Sequence, residues 1–397
     1  MAVPMGIVAV AATSGERMLL AFSHLRWGFV WQRPQHLLSR FARRMPVVVV
    51  EEPEWGVASH DLRVRREHGV TVVTPLIAGP AGEYGFGPHV NGIIARLIAP
   101  LLPAGGAPTC WYYTPMALGA EPAGWLPGLT VYDAMDDLAS FRGAPRALRD
   151  HEARLLAHAD LVFTGGPTLY RSRRDRRPDA HCFPSGVDGA HFAPGGMASA
   201  APPSLTSRPR PILGYYGVID ERLDLQLLAG IADARPEWTI ALVGPTAKID
   251  EGTIPVRDNI VRFGQQAYRD LPGFLSAFDV ALLPFALNEA TRCISPTKTL
   301  EYLAGGKPVV ATPIADVIDL YGDVVVIAET ADTFVAAAES TLTRSTAEHR
   351  RQRARVARLI AANDWDAIAA RMLDVMDSAR AAKHFPAAEP AAVALMA

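Results

Sequence analysis

Residues 284–313, PFALNEATRCISPTKTLEYLAGGKPVVATP, contain the side chains best suited to bind an anion. An apolar strand pattern ends in a polar loop, and Ser295-Pro296 then predicts a helix start, because serine caps free backbone N–H groups and proline suits the first helical position. The predicted helix ends at Gly305-Gly306. A helix that begins where a parallel strand ends directs N–H groups and a positive dipole end toward one point. The segment therefore predicts a diphosphate site.

Two charged residues of this helix are expected to bind different parts of a nucleotide. Lys298 and Glu301 lie three positions apart and so share a helix face. A cation in the first turn opposes the helix dipole unless an anion neutralises both, so we predict that Lys298 contacts the diphosphate and acts in catalysis, with Ser295 and Thr297 beside it. The Glu301 carboxylate can accept hydrogen bonds from ribose hydroxyls. An exposed ion pair worth ~0.3 to 0.5 kcal/mol is the alternative.

The elements that would position these residues are repeated βα units. Short apolar runs alternate with amphipathic stretches along most of the 397 residues, a pattern typical of parallel sheets covered by helices. A Pro-, Gly- and Ala-rich stretch interrupts the alternation, so we predict a Rossmann-like N-terminal domain (1–195), a linker (196–211) and a Rossmann-like C-terminal domain (212–364). Residues 365–397 are expected to form a helix and a loose tail.

Composition narrows the possible partners and compartments. The formal charge is -2, so no overall field favours binding to nucleic acid, and none is expected as a partner. The three cysteines lie far apart, without the spacing of a zinc site or a disulfide framework. The N-terminal stretch lacks the positive charges of a signal peptide, so we expect a cytoplasmic protein, with peripheral membrane contact left open. The basic run RSRRDRR (171–177) is interpreted as a solvated helix face.

These segments resemble a known family. The helix segment, the strand KPVVATP after it and FPSGVDGAHFAP near the end of the N-terminal domain are similar to retaining GT-B glycosyltransferases of the family-four type. The stretches AFSHLRWGFVWQRPQHLLSRFAR and VYDAMDDLASF resemble a bacterial cell-surface polysaccharide subgroup that includes the teichuronic acid enzymes. The resemblance implies an α/β fold of two Rossmann-like doubly wound domains facing across a cleft. It also implies that Glu301 holds the donor ribose and that the 295–298 turn holds the diphosphate.

Two positions depart from the family pattern on the donor side. Cys293 stands where the family often has a second glutamate, and we expect Glu289 to substitute for it in part. The family usually places an arginine and a lysine after the first strand of the C-terminal domain. Here the stretch GYYGVIDERL offers Gly217 and the single cation Arg222, which we assign to donor binding. A solvated position at a helix start is the alternative for Arg222.

The acceptor is expected at the carboxyl edge of the N-terminal sheet. One motif follows the first strand and provides a catalytic candidate, His24, together with the acceptor-binding candidates Arg26, Trp27 and Arg33. Trp31 could also stack on a sugar ring, although simple packing is equally consistent. In the second motif, neighbouring carboxylates raise one another's pKa, which favours Asp136 as a catalytic group and Asp137 as an acceptor ligand. Helix capping is the alternative for both.

We therefore predict sugar transfer from a UDP- or GDP-sugar to a glycan or lipid-linked acceptor in cell-surface polysaccharide synthesis. No cofactor and no obligatory metal are expected, because fixed cations and a helix N-terminus can neutralise the diphosphate. The carboxylates of DAMDD could suggest the metal-dependent glycosyltransferase fold, but the nucleotide signature lies in the wrong half of the chain for it. A nucleotide-sugar epimerase and a non-catalytic nucleotide-sugar-binding subunit remain alternatives. A nicotinamide oxidoreductase is disfavoured, since FSHLRWG lacks the glycine-rich phosphate turn.

Overall fold

The structure is a computed structural model that describes residues 17–80, 85–103, 107–195 and 200–384. It contains two open sheets, one in each half of the chain, whose strands are mainly parallel and are flanked by helices. Within the described ranges, no helix combines the length and apolar character needed to cross a membrane. The predicted fold class is confirmed.

The N-terminal sheet has nine strands in the order β3-β5-β2-β1-β6-β7-β8-β9, with β4 pairing antiparallel to β5. The central strands are buried and carry mainly Val, Leu and aromatic residues, because both faces of a parallel sheet are covered. The strands are β1 (Leu19–Ser23), β2 (Val47–Glu51), β3 (Glu54–Val57), β4 (Asp61–Glu67), β5 (Val70–Ala78), β6 (Thr109–Tyr112), β7 (Leu129–Ala134), β8 (Leu161–Thr164) and β9 (His181–Cys182). The helices are α1 (Arg33–Phe41), α2 (Pro88–Ile98), α3 (Leu148–His158), α4 (Pro167–Arg173) and α5 (Gly189–Phe192).

The C-terminal sheet has six parallel strands in the order β12-β11-β10-β13-β14-β15. They are β10 (Ile212–Tyr216), β11 (Thr239–Val243), β12 (Ile260–Arg262), β13 (Val280–Leu283), β14 (Val309–Ala311) and β15 (Val326–Ile327). The strand order reverses between β10 and β13, and ligands of open α/β sheets bind at such a switch point. The helices are α6 (Pro203–Thr206), α7 (Leu225–Ala234), α8 (Leu271–Ala277), α9 (Lys298–Ala304), α10 (Ala315–Tyr321), α11 (Ala331–Leu342), α12 (Thr346–Ala362) and α13 (Trp365–His384).

The predicted elements differ from the structure in four places. Two strands, β3 and β4, were not predicted, because the arginine-rich sequence of β4 lacks an apolar pattern. The predicted linker contains α6, whose Leu205 is fully buried, while its residues 196–199 lie outside the described ranges, as do residues 385–397 of the predicted tail. Helix α9 begins at Lys298 after Thr297, so Ser295 does not cap it. The basic run 171–177 is mostly exposed as predicted, but Arg173 is buried and Arg177 donates to two backbone carbonyls.

Helix α13 returns the chain to the N-terminal domain. Trp365, Ile368 and Met372 are buried in the same cluster as Leu37 and Phe41 of α1. A bridge between Val187 and Asp364 marks the point of return. The last helix therefore packs on the N-terminal domain and connects it to the C-terminal domain a second time.

Candidate active site

A cavity of about 720 Å³ lies between the two domains, at the carboxyl ends of β10 and β11. Two glycines let the backbone approach this cavity closely. A Cβ on Gly217 would lie 2.7 Å from Lys298 Cε, and one on Gly244 would lie 2.0 Å from the Gly217 carbonyl oxygen. Both have φ near +140°, which favours glycine. Gly217, which was predicted on the donor side, thus lines the cavity, and so does Gly244.

Lys298 and Glu301 both line the cavity from α9, with Thr297 beside them. Burial raises the pKa of Glu301 to about 7, while the neighbouring Lys298 acts in the opposite direction. Burial and the nearby Arg222 lower the pKa of Lys298 to about 8, and its Nζ lies 5.5 Å from the Tyr215 ring centre and 5.4 Å from that of Phe285. The two groups are therefore not an ordinary exposed ion pair.

Arg222 reaches the same cavity from the loop after β10. Its Nε and Nη2 donate to Asp220, with an Nη2–Oδ2 distance of 2.6 Å, so this carboxylate fixes the orientation of the guanidinium. The guanidinium carbon also lies 5.5 Å from the ring centre of Phe141 in the N-terminal domain. No hydrogen bond joins Nη1 to another residue in the described ranges, which leaves this edge for an anionic ligand.

The opposite wall of the cavity comes from the loop before α1. Val30, Trp31 and Gln32 line it, and the Trp31 ring stacks on Tyr268 with ring centres 5.5 Å apart. Tyr268 belongs to the C-terminal domain, so this aromatic pair crosses the cleft. Trp31 was considered for the acceptor side, and the structure instead places it on the predicted donor cavity.

A second cavity of about 510 Å³ shares Gln32, Arg222, Thr297 and Lys298 with the first. Asp136 lines it from the N-terminal domain and Ser295 from the C-terminal domain. Burial raises the pKa of Asp136 to about 6, against the opposing effect of Arg222. This placement sets a carboxylate beside the predicted diphosphate site, on the far side of Lys298 from Glu301.

His24 lies just beyond the end of β1, partly buried, and its Nδ1 has no hydrogen-bond partner in the described part of the chain. Burial, assisted by Lys248, lowers its pKa to about 4, so the imidazole is neutral at pH 7. Glu52 follows β2, and burial raises its pKa to about 7, opposed by Arg26 and Lys248. Lys248 comes from the C-terminal domain, and its Nζ lies 4.9 Å from the Phe141 ring centre. Charged groups of both domains therefore meet at this edge of the cleft.

Several predicted acceptor ligands already have protein partners. Arg33 and Asp133 form a fully buried pair with an Nε–Oδ2 distance of 2.9 Å, although Arg33 also borders the second cavity. Asp137 accepts from Arg173 at 3.0 Å and does not cap the following turn. Because Arg33 and Asp137 already hydrogen-bond to residues of the protein, these bonds argue against direct acceptor binding by either side chain.

Three further predicted residues lie away from both cavities. Trp27 is 4% exposed and packs in the N-terminal core. Arg26 donates to the Pro53 carbonyl and pairs with Glu54 at 3.6 Å. Glu289 is on the surface with its side chain 75% exposed. Cys293, at the position of the missing glutamate, packs in the N-terminal core.

The described residues contain no group of three or more His, Cys, Asp or Glu side chains placed to hold a metal ion. In the DAMDD motif, Asp133 and Asp137 are paired with arginines, and Asp136 alone lines a cavity. The carboxylates are therefore separated by their partners and do not converge as a ligand set.

Sequence reasoning missed Gly244, Lys248 and Tyr268. The sequence LVGP after β11 repeats the strand-then-glycine pattern of YYGV after β10, which could have indicated Gly244. Lys248 is the first lysine of the chain and has a positive φ of 60°. Tyr268 begins a three-residue 3-10 helix (Tyr268–Asp270), which is too short to give a periodic signal in the sequence, so only the fold identifies it.

The fold and the cavity together define a class of protein. Two Rossmann-like domains face each other across an interdomain cavity, which is the GT-B architecture. Comparison with known proteins makes this more specific. Residues 210–344 match the family Glycosyl transferases group 1. The predicted resemblance to GT-B glycosyltransferases of the family-four type is confirmed.

Two kinds of relatives support this assignment. The chain is 24% identical over 255 residues to TuaH of Bacillus subtilis (strain 168), described as a teichuronic acid biosynthesis glycosyltransferase; the match covers 58% of this chain and 63% of that relative. The fold is similar to sucrose-phosphate synthase from Thermosynechococcus elongatus, with TM-score 0.67, 15% identity and coverage of 92% and 100% of the two chains. HepE of Anabaena, solved with UDP and glucose, gives TM-score 0.63, 14% identity and coverage of 91% and 100%.

Proposed function

We propose that the protein is a glycosyltransferase that transfers a sugar from a nucleoside diphosphate donor to a glycan or lipid-linked acceptor in cell-surface polysaccharide synthesis. One observation carries the proposal. In a chain whose residues 210–344 match the Glycosyl transferases group 1 family, the interdomain cavity is lined by Arg222, Lys298 and Glu301. These side chains provide cations for a diphosphate and a carboxylate for ribose hydroxyls.

The reaction assigned to this site breaks the bond between the anomeric carbon and the β-phosphate oxygen, and forms a bond from an acceptor hydroxyl oxygen to the same carbon. Lys298 and the free edge of Arg222 stabilise the negative charge that grows on the leaving diphosphate. Asp136, in the adjoining cavity, accepts the proton of the acceptor hydroxyl. We further propose that the acceptor hydroxyl attacks from the face that the diphosphate leaves, which retains the anomeric configuration, that the leaving nucleotide is UDP or GDP, and that no metal is required.

The acceptor side of the proposal uses the cluster of His24, Glu52 and Lys248. A neutral imidazole and a partly protonated carboxylate can each donate or accept hydrogen bonds, as a polyhydroxylated sugar requires. The similarity to TuaH supports a cell-surface glycan as the class of acceptor.

A peripheral contact with the membrane is also proposed. Helix α12 carries five exposed arginines, which suit an anionic lipid surface: Arg350, Arg351, Arg353, Arg355 and Arg358. Co-sedimentation with vesicles containing anionic lipid should exceed that with zwitterionic vesicles and should fall at high salt. Equal recovery from both kinds of vesicle would remove membrane contact from the proposal.

The test of the function itself is product analysis. The protein is incubated with UDP- and GDP-sugars, with and without a lipid-glycan extract from bacterial envelopes, and the products are resolved by mass spectrometry and anomeric NMR. A transferase releases nucleoside diphosphate and gives an acceptor product heavier by one sugar. Epimerised sugar from the donor alone would instead support the epimerase alternative. Binding without any turnover would support a non-catalytic subunit.

A further inference from the structure

The loop from Trp27 to Gln32 in the N-terminal domain is held in a fixed conformation over the predicted donor cavity. The buried Gln35 side chain makes three hydrogen bonds to it, from Nε2 to the carbonyls of Trp27 (2.9 Å) and Val30 (3.0 Å) and from the Gln32 N–H to Oε1 (3.0 Å). Gln265 of the C-terminal domain donates to the Phe29 carbonyl. The loop is thus ordered from both sides of the cleft before any ligand binds.

Trp31 is the part of this loop that presents a ring to the cavity. Its Nε1 donates to His36 Nδ1 at 3.2 Å, and the His36 ring stacks on Trp365 with ring centres 4.8 Å apart. Burial keeps the pKa of His36 well below its usual value, with a contribution from Arg40, so His36 accepts this bond at neutral pH. The indole is therefore fixed in orientation, which lowers the entropy cost of ordering this side chain when a ligand binds.

Tyr268 beside Trp31 has an unsatisfied polar group. Its ring stacks on His191, at a centre distance of 4.4 Å, and on Trp31, while its buried hydroxyl has no hydrogen-bond partner among the described residues. The pKa of Tyr268 is raised by burial and by Glu301, and both residues line the first cavity. A buried hydroxyl without a partner is unfavourable, and a ligand that supplies one removes the penalty.

We infer that Trp31 is a nucleoside-binding residue supplied by the N-terminal domain, and that it covers the ribose and base while Tyr268 hydrogen-bonds to the same moiety. This inference rests on the proposed function, because it assigns the nucleoside end of the same cavity. Arg222 and Lys298 lie toward the second cavity, which they share, whereas Trp31 and Tyr268 line only the first of the two. The nucleotide consequently bridges both domains.

Calorimetry with UDP, GDP and inorganic pyrophosphate separates the two ends of the cavity. Base–aromatic contacts are worth ~1 to 3 kcal/mol each, so Trp31→Ala should weaken the preferred nucleoside diphosphate about 10- to 100-fold. Trp31→Leu keeps apolar volume without a ring and should also weaken it, whereas Trp31→Phe should retain most of the affinity. Pyrophosphate contacts only the cations, so its affinity should be the same in all these proteins.

Trp27→Phe is the matched control, since Trp27 belongs to the same loop but packs in the core. Unchanged nucleotide affinity in Trp31→Leu, or an equal loss for pyrophosphate and nucleotide, would overturn the inference while leaving the proposed function intact. If the unmodified protein binds neither UDP nor GDP, the proposed function fails, and the assignment of Trp31 fails with it.

Discussion

Replacement of Lys298 by methionine should make the protein more stable and less active. The pKa of this lysine falls from 10.5 to about 8, mainly through burial. At 1.36 kcal/mol per pKa unit, holding the charge in the folded protein costs about 3 kcal/mol. Methionine has similar length and no charge, so Lys298→Met should raise the free energy of unfolding by at most about 3 kcal/mol.

The pH dependence of this gain has a definite sign. Below pH 8 the lysine is charged in both the folded and the unfolded protein, so the full penalty is present. Between pH 8 and 10.5 the folded protein loses its proton first, and the penalty shrinks as the pH rises. The stability difference between variant and parent should therefore be largest at neutral pH and small by pH 10.5.

Turnover should move in the opposite direction. Charge on the leaving oxygen grows in the transition state, and loss of one positioned donor commonly lowers turnover by about 100-fold or more. Urea unfolding at pH 7 and pH 10 and steady-state kinetics measure the two effects. Lys383→Met is the control, since Lys383 pairs with Asp160 at the surface, with an Nζ–Oδ2 distance of 2.9 Å. That variant should change the free energy of unfolding by less than ~1 kcal/mol and keep its turnover. A destabilised Lys298→Met with normal kinetics would refute the reasoning.

Three further predictions concern other parts of the cleft. Glu301→Ala should weaken nucleosides and nucleotides alike, by up to ~1.5 to 3 kcal/mol per lost ribose contact, and spare pyrophosphate in calorimetry; selective loss of pyrophosphate would reverse the assignment. Asp136→Asn should lower the transfer rate without changing nucleotide affinity. A carboxylate base makes the rate rise with pH near its pKa, about 6 for Asp136, and the variant should lose this rise. An unchanged pH profile would exclude Asp136 as the base. Excess EDTA should leave turnover intact, whereas loss restored by manganese would defeat the metal-independent reading.

The sequence predicted the fold well because parallel strands buried on both faces give continuous apolar runs. The six strands of the C-terminal sheet fall on short runs of the sequence between PILGYYGVI and VVVIAE. The edge strand β4 was not predicted, because its side chains are exposed or half-buried and three of them are arginines, and β3 was not predicted because it is only four residues long and contains a glycine. Periodicity detects burial, and an exposed edge strand lacks that signal.

Site residues were predictable where one local motif places them. Lys298 and Glu301 are three residues apart on one helix, so the spacing alone puts them together. Arg33 and Asp133 are 100 residues apart, and nothing local shows that they satisfy each other. Trp31 and Tyr268 come from different domains, so only the packing of the two domains reveals that they stack.

The central claim, that the interdomain cavity binds a nucleoside diphosphate, is tested most directly by unfolding with a panel of UDP, GDP, ADP and CDP. A ligand at 100 times its dissociation constant adds ~2.7 kcal/mol to the free energy of unfolding. UDP or GDP should give this increase in the unmodified protein, and Glu301→Ala should require much more ligand for the same increase. No stabilisation by any of the four, or equal stabilisation of the Glu301→Ala variant, would contradict the account.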